Sequence, residues 1–426
     1  MSRSSAPRPT SASSATGRPI MSPWRFVVAF GVVSMLADAV YEGARSITGP
    51  FLGSLGAGAV LVGLVTGAGE AAGLLLRLIT GPAADRTGRY WGWTIGGYAL
   101  TVITVPALAL PVGLVGACLL VIAERVGKAT RSPAKDTLLS NAGTSMGRGA
   151  AFAVHEAMDQ AGAFAGPLLV AVMIAWHGYG AAFGVLAVPG VAVLAVLAWL
   201  ARRVPDPRVY EPAATPAADA DPPASPPTGT KSGLRDLPAA FWRYAAFSAV
   251  TMAGFATFGL IGFHLVDRGL LKPATVPLVY ALAMATDAVA ALAVGRLFDR
   301  YGLRVLAALP VLAAAGTALA FTATLPAVLT GAALWGAAMG VQESTMRAEV
   351  ADLVAPARRA TAYGIFAASY GLAWLAGGAL LGALYGHAPS ALAPTVVAIQ
   401  ALALMTLWWV ARANGRYQGP NSDTTA

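Results

Sequence analysis

The sequence predicts an all-α membrane protein whose twelve transmembrane helices form two related six-helix bundles. Composition is the first ground. Of 426 residues, 57% are hydrophobic and 12% charged, and the mean hydropathy is +0.64. A soluble globule carries about a quarter of its residues charged, so this chain has half of what would wet a surface of its size. The second ground is a series of twelve apolar runs near the ~20 residues that cross a bilayer as a helix. The third is a turn sequence that follows the second run and returns after the eighth. The short alternating segments of a β-barrel are not the pattern here. The single cysteine, Cys118, excludes an internal disulfide and a cysteine-based metal site.

Residues 1–22, Ser-rich with arginines and no acid, read as an unstructured cytoplasmic tail. The first half, 23–202, holds spans at 24–47, 58–82, 91–111, 113–138, 149–175 and 180–201. The connection 203–237 is rich in Pro, Ala and Asp, cannot build a core and reads as a flexible linker. The second half, 238–411, holds spans at 242–265, 274–296, 304–323, 326–347, 360–385 and 390–411, and 412–426 is a second tail. The even-numbered connections carry most cations, among them Arg86, Arg89, Arg202, Arg203, Arg296, Arg300, Arg304 and Arg358, while the odd-numbered ones carry Arg268 and Lys272. Basic residues stay on the cytoplasmic side, which predicts both termini in the cytoplasm and an integral protein of the plasma (inner) membrane. The net charge of +9 is then a topology signal, and no nucleic-acid partner is called for.

The repeated turn is Gly81-Pro-Ala-Ala-Asp85-Arg86-Thr-Gly88-Arg89 after span 2 and Gly295-Arg-Leu-Phe-Asp299-Arg300-Tyr-Gly302-Leu-Arg304 after span 8. Recurrence at the same place in each half implies an internal repeat. With these residues the chain resembles the major facilitator superfamily, whose hallmark is G-x-x-x-D-R-x-G-R-[RK] in the 2–3 loop, echoed in the 8–9 loop. Tyr90 departs from its last basic position and Leu303 stands where the first copy has Arg89. The resemblance implies two pseudosymmetric bundles around a central cavity, alternating access by rocking, and spans 3, 6, 9 and 12 on the outside. An Asp suits the exposed N–H groups of a helix start, so Asp85 is expected against residues 359–361 and Asp299 against 147–149. Gly162, Gly166 and Pro167 on span 5 resemble the G-x-x-x-G-P core of proton-driven exporters in the superfamily, without its following Gly-Gly; close packing and a kink are the plain alternative.

Charges at mid-membrane depth face partners or water, because facing lipid costs several kcal/mol. The cations are Arg45, Arg77, Arg125, Lys128 and Arg131; the acids are Asp38, Glu42, Glu70, Glu124, Glu156, Asp159, Asp287 and Glu343, with His155 beside them. None falls in spans 3, 6, 9 or 12, and the first half carries most of them. Asp38, Glu42 and Arg45 share one helical stripe, as do Glu124, Lys128 and Arg131. Low dielectric favours a neutral carboxyl and a neighbouring arginine an ionised one, so carboxylates held between the two suit proton coupling. Asp38 and Glu42 lead, Glu70 follows, and Arg125 is the expected switchable partner. Tyr280, Trp335, Tyr370 and Trp374 are candidates for an aromatic substrate wall, with core packing as the competing role.

The expected function is secondary active transport, with proton-coupled export of small organic molecules in the lead and an antiporter-type efflux cycle implied. An importer of an anionic metabolite and a divalent metal carrier are the rivals within transport; a membrane sensor on the same fold is the rival outside it. His155-Glu156-x-x-Asp159 lacks the second histidine of a zincin helix and no nucleophile–base pair is evident, so no enzyme and no bound metal are expected. The energy source would be the proton gradient, with no cofactor, and a cavity within one chain permits a functional monomer.

Overall fold

The computed structural model describes residues 21–143, 148–210, 237–355 and 358–415. Nearly all of them are helical, and no strand occurs among them. Among the described residues nine helices are apolar and long enough to cross a membrane, and three further crossings follow from local structure. The apolar run Ala153–Arg203 is two spans, because Gly178 (φ 74°, ψ −170°) breaks the helix with a backbone turn that a side chain would strain. Tyr90–Ala107 and Gly113–Gly143 are the other two; the second is kept off the apolar set by its own charges. Spans 1, 2, 8, 10, 11 and 12 are Pro23–Ser54, Ala59–Thr87, Val276–Tyr301, Leu325–Leu353, Arg359–His387 and Pro389–Gly415. Span 9 is Gly302–Ala320, and spans 5 and 6 run over 148–177 and 179–203.

Span 7, Ala239–Asp267, differs from the simple helix expected of it. It unwinds between Ala253 and Phe258, leaving backbone carbonyls without helical partners. The Trp335 indole N–H donates to the Ala256 carbonyl at 2.7 Å, and the Thr257 hydroxyl meets that of Thr66 at 2.8 Å. Such unwinding is stable in a membrane only where protein resupplies the hydrogen bonds.

Glycine decides how closely the spans approach. A Cβ on Gly162 or Gly166 would lie 2.0 or 2.2 Å from the carbonyl oxygens of Met35 and Ala39, so span 5 rests backbone to backbone on span 1. Pro167 sits inside continuous helix, and the break in this segment falls at Gly178 instead of at the proline. Between the halves, Gly49 of span 1 meets Gly259 of span 7, and Gly63 of span 2 meets Gly378 of span 11. These contacts seal the face opposite the signature turns. Outward-facing side chains such as Ile103, Val115, Leu119, Val188, Val191 and Trp176 are exposed and apolar, as a lipid-facing surface requires.

The linker does not begin as free chain at 203. Trp91 donates to the Val204 carbonyl at 3.0 Å, and buried Tyr210 donates to the Met21 carbonyl at 2.9 Å while packing on Phe26. Residues 211–236, most of tail 1–22 and most of tail 412–426 lie outside the described residues.

Candidate functional site

The stripe spacing of span 1 puts Asp38, Tyr41, Glu42 and Arg45 on one face, opposite the Glu124-Lys128-Arg131 stripe of span 4. Glu70, projecting from span 2, lies between two guanidinium groups, 2.8 Å from Arg45 Nη2 and 3.5 Å from Arg125 Nη1. Arg45 also approaches Glu42 at 3.6 Å, and Arg125 approaches Glu124 at 3.3 Å. Further along span 4, Arg131 donates to the Thr101 hydroxyl at 2.9 Å and stands 4.0 Å from Asp38. Lys135 lies 3.9 Å from Asp159, whose other neighbour is His155 at 3.3 Å, and the far nitrogen of His155 contacts the Ser34 hydroxyl at 2.6 Å. The Tyr41 ring supports three cations, Lys128 at 3.6 Å, Arg125 at 4.4 Å and Arg45 at 5.9 Å from its centroid. Cation–π contacts of this kind strengthen when water is excluded. Spans 1, 2, 4 and 5 are thus tied into one network.

Two hydrogen bonds carry the network into the second half. Tyr280 of span 8 donates to the Glu42 carboxylate. Gln160 donates to Asp287 and to Glu156, each at 3.4 Å. One oxygen each of Asp159 and Asp287 is buried with no hydrogen-bond partner among the described residues.

These side chains surround two adjoining spaces. A polar chamber of ≈ 160 Å³ is lined by Asp38, Glu42, Arg45, Lys128, Arg131, Lys135, Glu156, Asp159, Asp287 and Glu343. A larger cavity of ≈ 860 Å³ runs from Tyr41, Arg45, Glu70 and Arg125 past Arg77 to Gly81 and Asp85, at the end of the bundle that bears the first signature turn. Arg45, Lys128, Glu156 and Glu343 line both. The opposite wall of the larger cavity is aromatic: Phe366, Tyr370 and Trp374 of span 11, the last two edge to face at 5.7 Å and 89°.

Two expected wall residues lie elsewhere. Trp335 is fully buried against Phe255 and Phe258, where its N–H closes the break in span 7, so it is a core residue. Tyr280 is also fully buried, lying behind the polar chamber as the donor to Glu42. His155 and Glu124 belong to the network without lining either space. Replacing Tyr280 with Phe leaves a Glu42 oxygen without its donor. The expected cost is about 1–3 kcal/mol, read as a lowered thermal midpoint of the purified protein.

In the signature turns, Gly88 and Gly302 adopt φ of 61° and 57°, ending their helices in a region that disfavours other residues. Asp85 is exposed and accepts from the Tyr90 hydroxyl at 3.2 Å; Arg86, Arg89 and Arg304 are exposed. The Arg300 guanidinium lies 5.3 Å from the Tyr301 ring centroid, and a Cβ on Gly295 would meet open space. The side chains of Asp299, Arg359 and Ala360 and residues 144–147, on which most of the expected contacts of Asp85 and Asp299 fall, lie outside what is described.

Several cavity residues escaped the sequence reading: Tyr41, Tyr98, Lys135, Gln342 and Phe366. The signal for two of them was present. Tyr41 is one turn before Arg45 and Lys135 one turn after Arg131, each extending a stripe already recognised.

Twelve crossings in two halves, with a charged and aromatic cavity between them open toward one face, define a membrane carrier. The chain belongs to the major facilitator superfamily, whose sequence model matches residues 30–309 and 271–424. It is 56% identical over 393 residues to an uncharacterised protein of Mycobacterium tuberculosis, covering 92% of this chain and 94% of that one. It is also 24% identical over 376 residues to an uncharacterised MFS-type transporter of Methanocaldococcus jannaschii, covering 85% and 89%. Among solved structures, the nucleoside transporter NupG superposes with a TM-score of 0.67 at 15% identity, covering 91% of this chain and 98% of that one. The peptide transporter POT in complex with sulfate gives 0.71 at 15% identity, covering 92% and 94%. These likenesses are of fold. The protein is a membrane transporter of the superfamily.

Proposed function

We propose that the protein is a proton-coupled secondary transporter that exports small organic molecules by alternating access. The observation that carries this reading is the polar chamber between the halves. Six carboxylates line it, Asp38, Glu42, Glu156, Asp159, Asp287 and Glu343, against four cations, Arg45, Lys128, Arg131 and Lys135. An excess of like charge in a low-dielectric space is costly, and proton binding offsets it. The carboxylates come from both halves and meet through Tyr280 and Gln160. Rocking the halves apart would separate them and change their proton affinity, which is the link a coupled cycle needs. The larger cavity supplies the substrate site, open toward the arginine-rich face that basic-residue bias assigns to the cytoplasm. The resemblance of Gly162-x-x-x-Gly166-Pro167 to the exporter core supports the outward direction.

The test is flux in proteoliposomes under an imposed pH gradient, using a panel of radiolabelled amino acids, nucleosides, organic acids and lipophilic cations. Asp38→Asn, Glu42→Gln and Asp287→Asn are each expected to lower gradient-driven flux at least about tenfold while leaving substrate counterflow measurable, as loss of coupling without loss of binding requires. Full gradient-dependent flux in all three variants would refute the proton-coupling reading.

A further inference from the structure

Nearly every charged group on the cavity walls is matched. Glu70 neutralises Arg45 and Arg125, Asp38 faces Arg131, and Asp159 faces Lys135. Asp287 and Glu156 share the Gln160 amide, and Asp85 takes the Tyr90 hydroxyl. Lys128 and Glu343 are different. Neither side chain makes an ion pair or hydrogen bond among the described residues, and the neutral Tyr41 ring is the Lys128 ammonium's contact. The two groups stand on opposite halves, spans 4 and 10, and both line the polar chamber and the larger cavity. They are electrostatic neighbours separated by more than an ion-pair distance. A cation and an anion left unmatched across a water-accessible gap are complementary to a molecule that carries both charges.

We infer that the substrate is a small zwitterion, a free carboxylate and a free ammonium on an apolar body, bridging Lys128 and Glu343. This rests on the reading of the larger cavity as the substrate site. The carboxylate pairs with Lys128 and the ammonium with Glu343, each a charge-assisted contact. The body lies on the wall formed by Phe366, Tyr370 and Trp374. The Trp374 indole N–H is buried without an acceptor among the described residues, a donor available if the ligand presses an oxygen against that wall. A bridging ligand also replaces a gap with an attraction between the halves, so that occupancy favours their approach.

The test is equilibrium binding to the full-length protein in lipid nanodiscs, with empty nanodiscs as blank. The probes are L-phenylalanine, its amide (ammonium only) and 3-phenylpropionate (carboxylate only). L-Alanyl-L-phenylalanine, in which the two charges are further apart, separates an amino acid from a short peptide as the source. In the wild type, one of the two zwitterions is expected to bind at least about tenfold tighter than either singly charged analogue. Lys128→Met should remove the preference over the amide and keep that over 3-phenylpropionate; Glu343→Gln should do the reverse. The ratios distinguish recognition from a purely structural role, because a shifted conformational equilibrium or a weakened fold would lower all affinities together and leave them unchanged. Equal binding of zwitterion and analogues, no binding by any probe, or unchanged ratios in either variant would overturn the proposal. The assay needs no pH gradient, so loss of gradient dependence in the flux experiment and loss of zwitterion preference here are separate results.

Discussion

Gly49→Ala is expected to lower transport about 5- to 150-fold while both halves remain folded. A Cβ at this position would lie 1.8 Å from the Gly259 carbonyl oxygen, and the obstacle is backbone, which has no rotamer by which to withdraw. The same face is closed by Gly63 against Gly378, where the corresponding distance is 2.2 Å, and by Gly382 against the Ala59 carbonyl at 2.5 Å. Spans 1 and 7 must therefore separate, and the seal opens. Overpacking of this kind costs about 1–3 kcal/mol, which shifts a two-state population by about 5- to 150-fold. The penalty falls on the conformation open at the signature turns, because that is the one in which these glycines touch. A cysteine placed at Met339, in a Cys118→Ser background, reports the shift. Its labelling should slow from the signature face and quicken from the opposite face. Gly96→Ala, outside both signature turns, is the control, since its Cβ meets open space. Unchanged labelling from both faces would show that the glycine contacts do not govern closure.

Glu70→Ala is expected to be the most destabilising charge substitution in the cavity, at about 3 kcal/mol. Glu70 is the shared anion of Arg45 and Arg125, and its removal leaves two guanidinium groups side by side with less to balance them. Breaking a fully buried pair costs about 3–5 kcal/mol. Cavity water reaches these side chains, which are 16%, 11% and 9% exposed, so the lower end applies. Arg268→Ala is the contrast. Its 4.0 Å approach to Asp267 involves side chains 50% and 44% exposed, where about 0–1 kcal/mol is usual. Thermal unfolding of the purified variants separates the two cases. The cost of Glu70→Ala should also shrink in an Arg45→Met background, because one of the stranded charges is then gone. An equal cost in both backgrounds would mean that Glu70 acts by packing alone.

The twelve crossings were legible because hydropathy and the repeated Asp-Arg turn are local properties of the chain. The charged stripes of spans 1 and 4 were legible for a related reason: helical spacing alone places Asp38, Glu42 and Arg45 together, and likewise Glu124, Lys128 and Arg131. What spacing could not supply was which stripe faces which. That Glu70 stands between two arginines depends on the approach of three helices, set by contacts distant in sequence. The role of Trp335 was hidden for a similar reason. Its partner, the Ala256 carbonyl, is free only because span 7 unwinds there; Gly254 and Thr257 stand at the C-cap and N-cap of its two pieces, a stop-and-start signal that an unbroken apolar run hides. Pro167 stayed helical and Gly178 did not, because a proline's effect depends on its surroundings whereas φ of 74° requires a residue like glycine.

Span 4, Gly113–Gly143, also bears on how the chain is made. Glu124, Arg125, Lys128 and Arg131 lie within it, and it is the longest span that falls outside the apolar set. Each charge at the centre of a lone helix costs about 2.5–3.5 kcal/mol on insertion, so span 4 does not enter lipid on its own terms. The groups that receive its cations, Asp38, Tyr41 and Glu70, are on spans 1 and 2, which leave the ribosome first. The partner of Lys135, Asp159, follows on span 5. Biogenesis of the first half is therefore conditional: its early helices must still be beside the insertion site when the fourth arrives, held there by the same ion pairs that later line the central cavity.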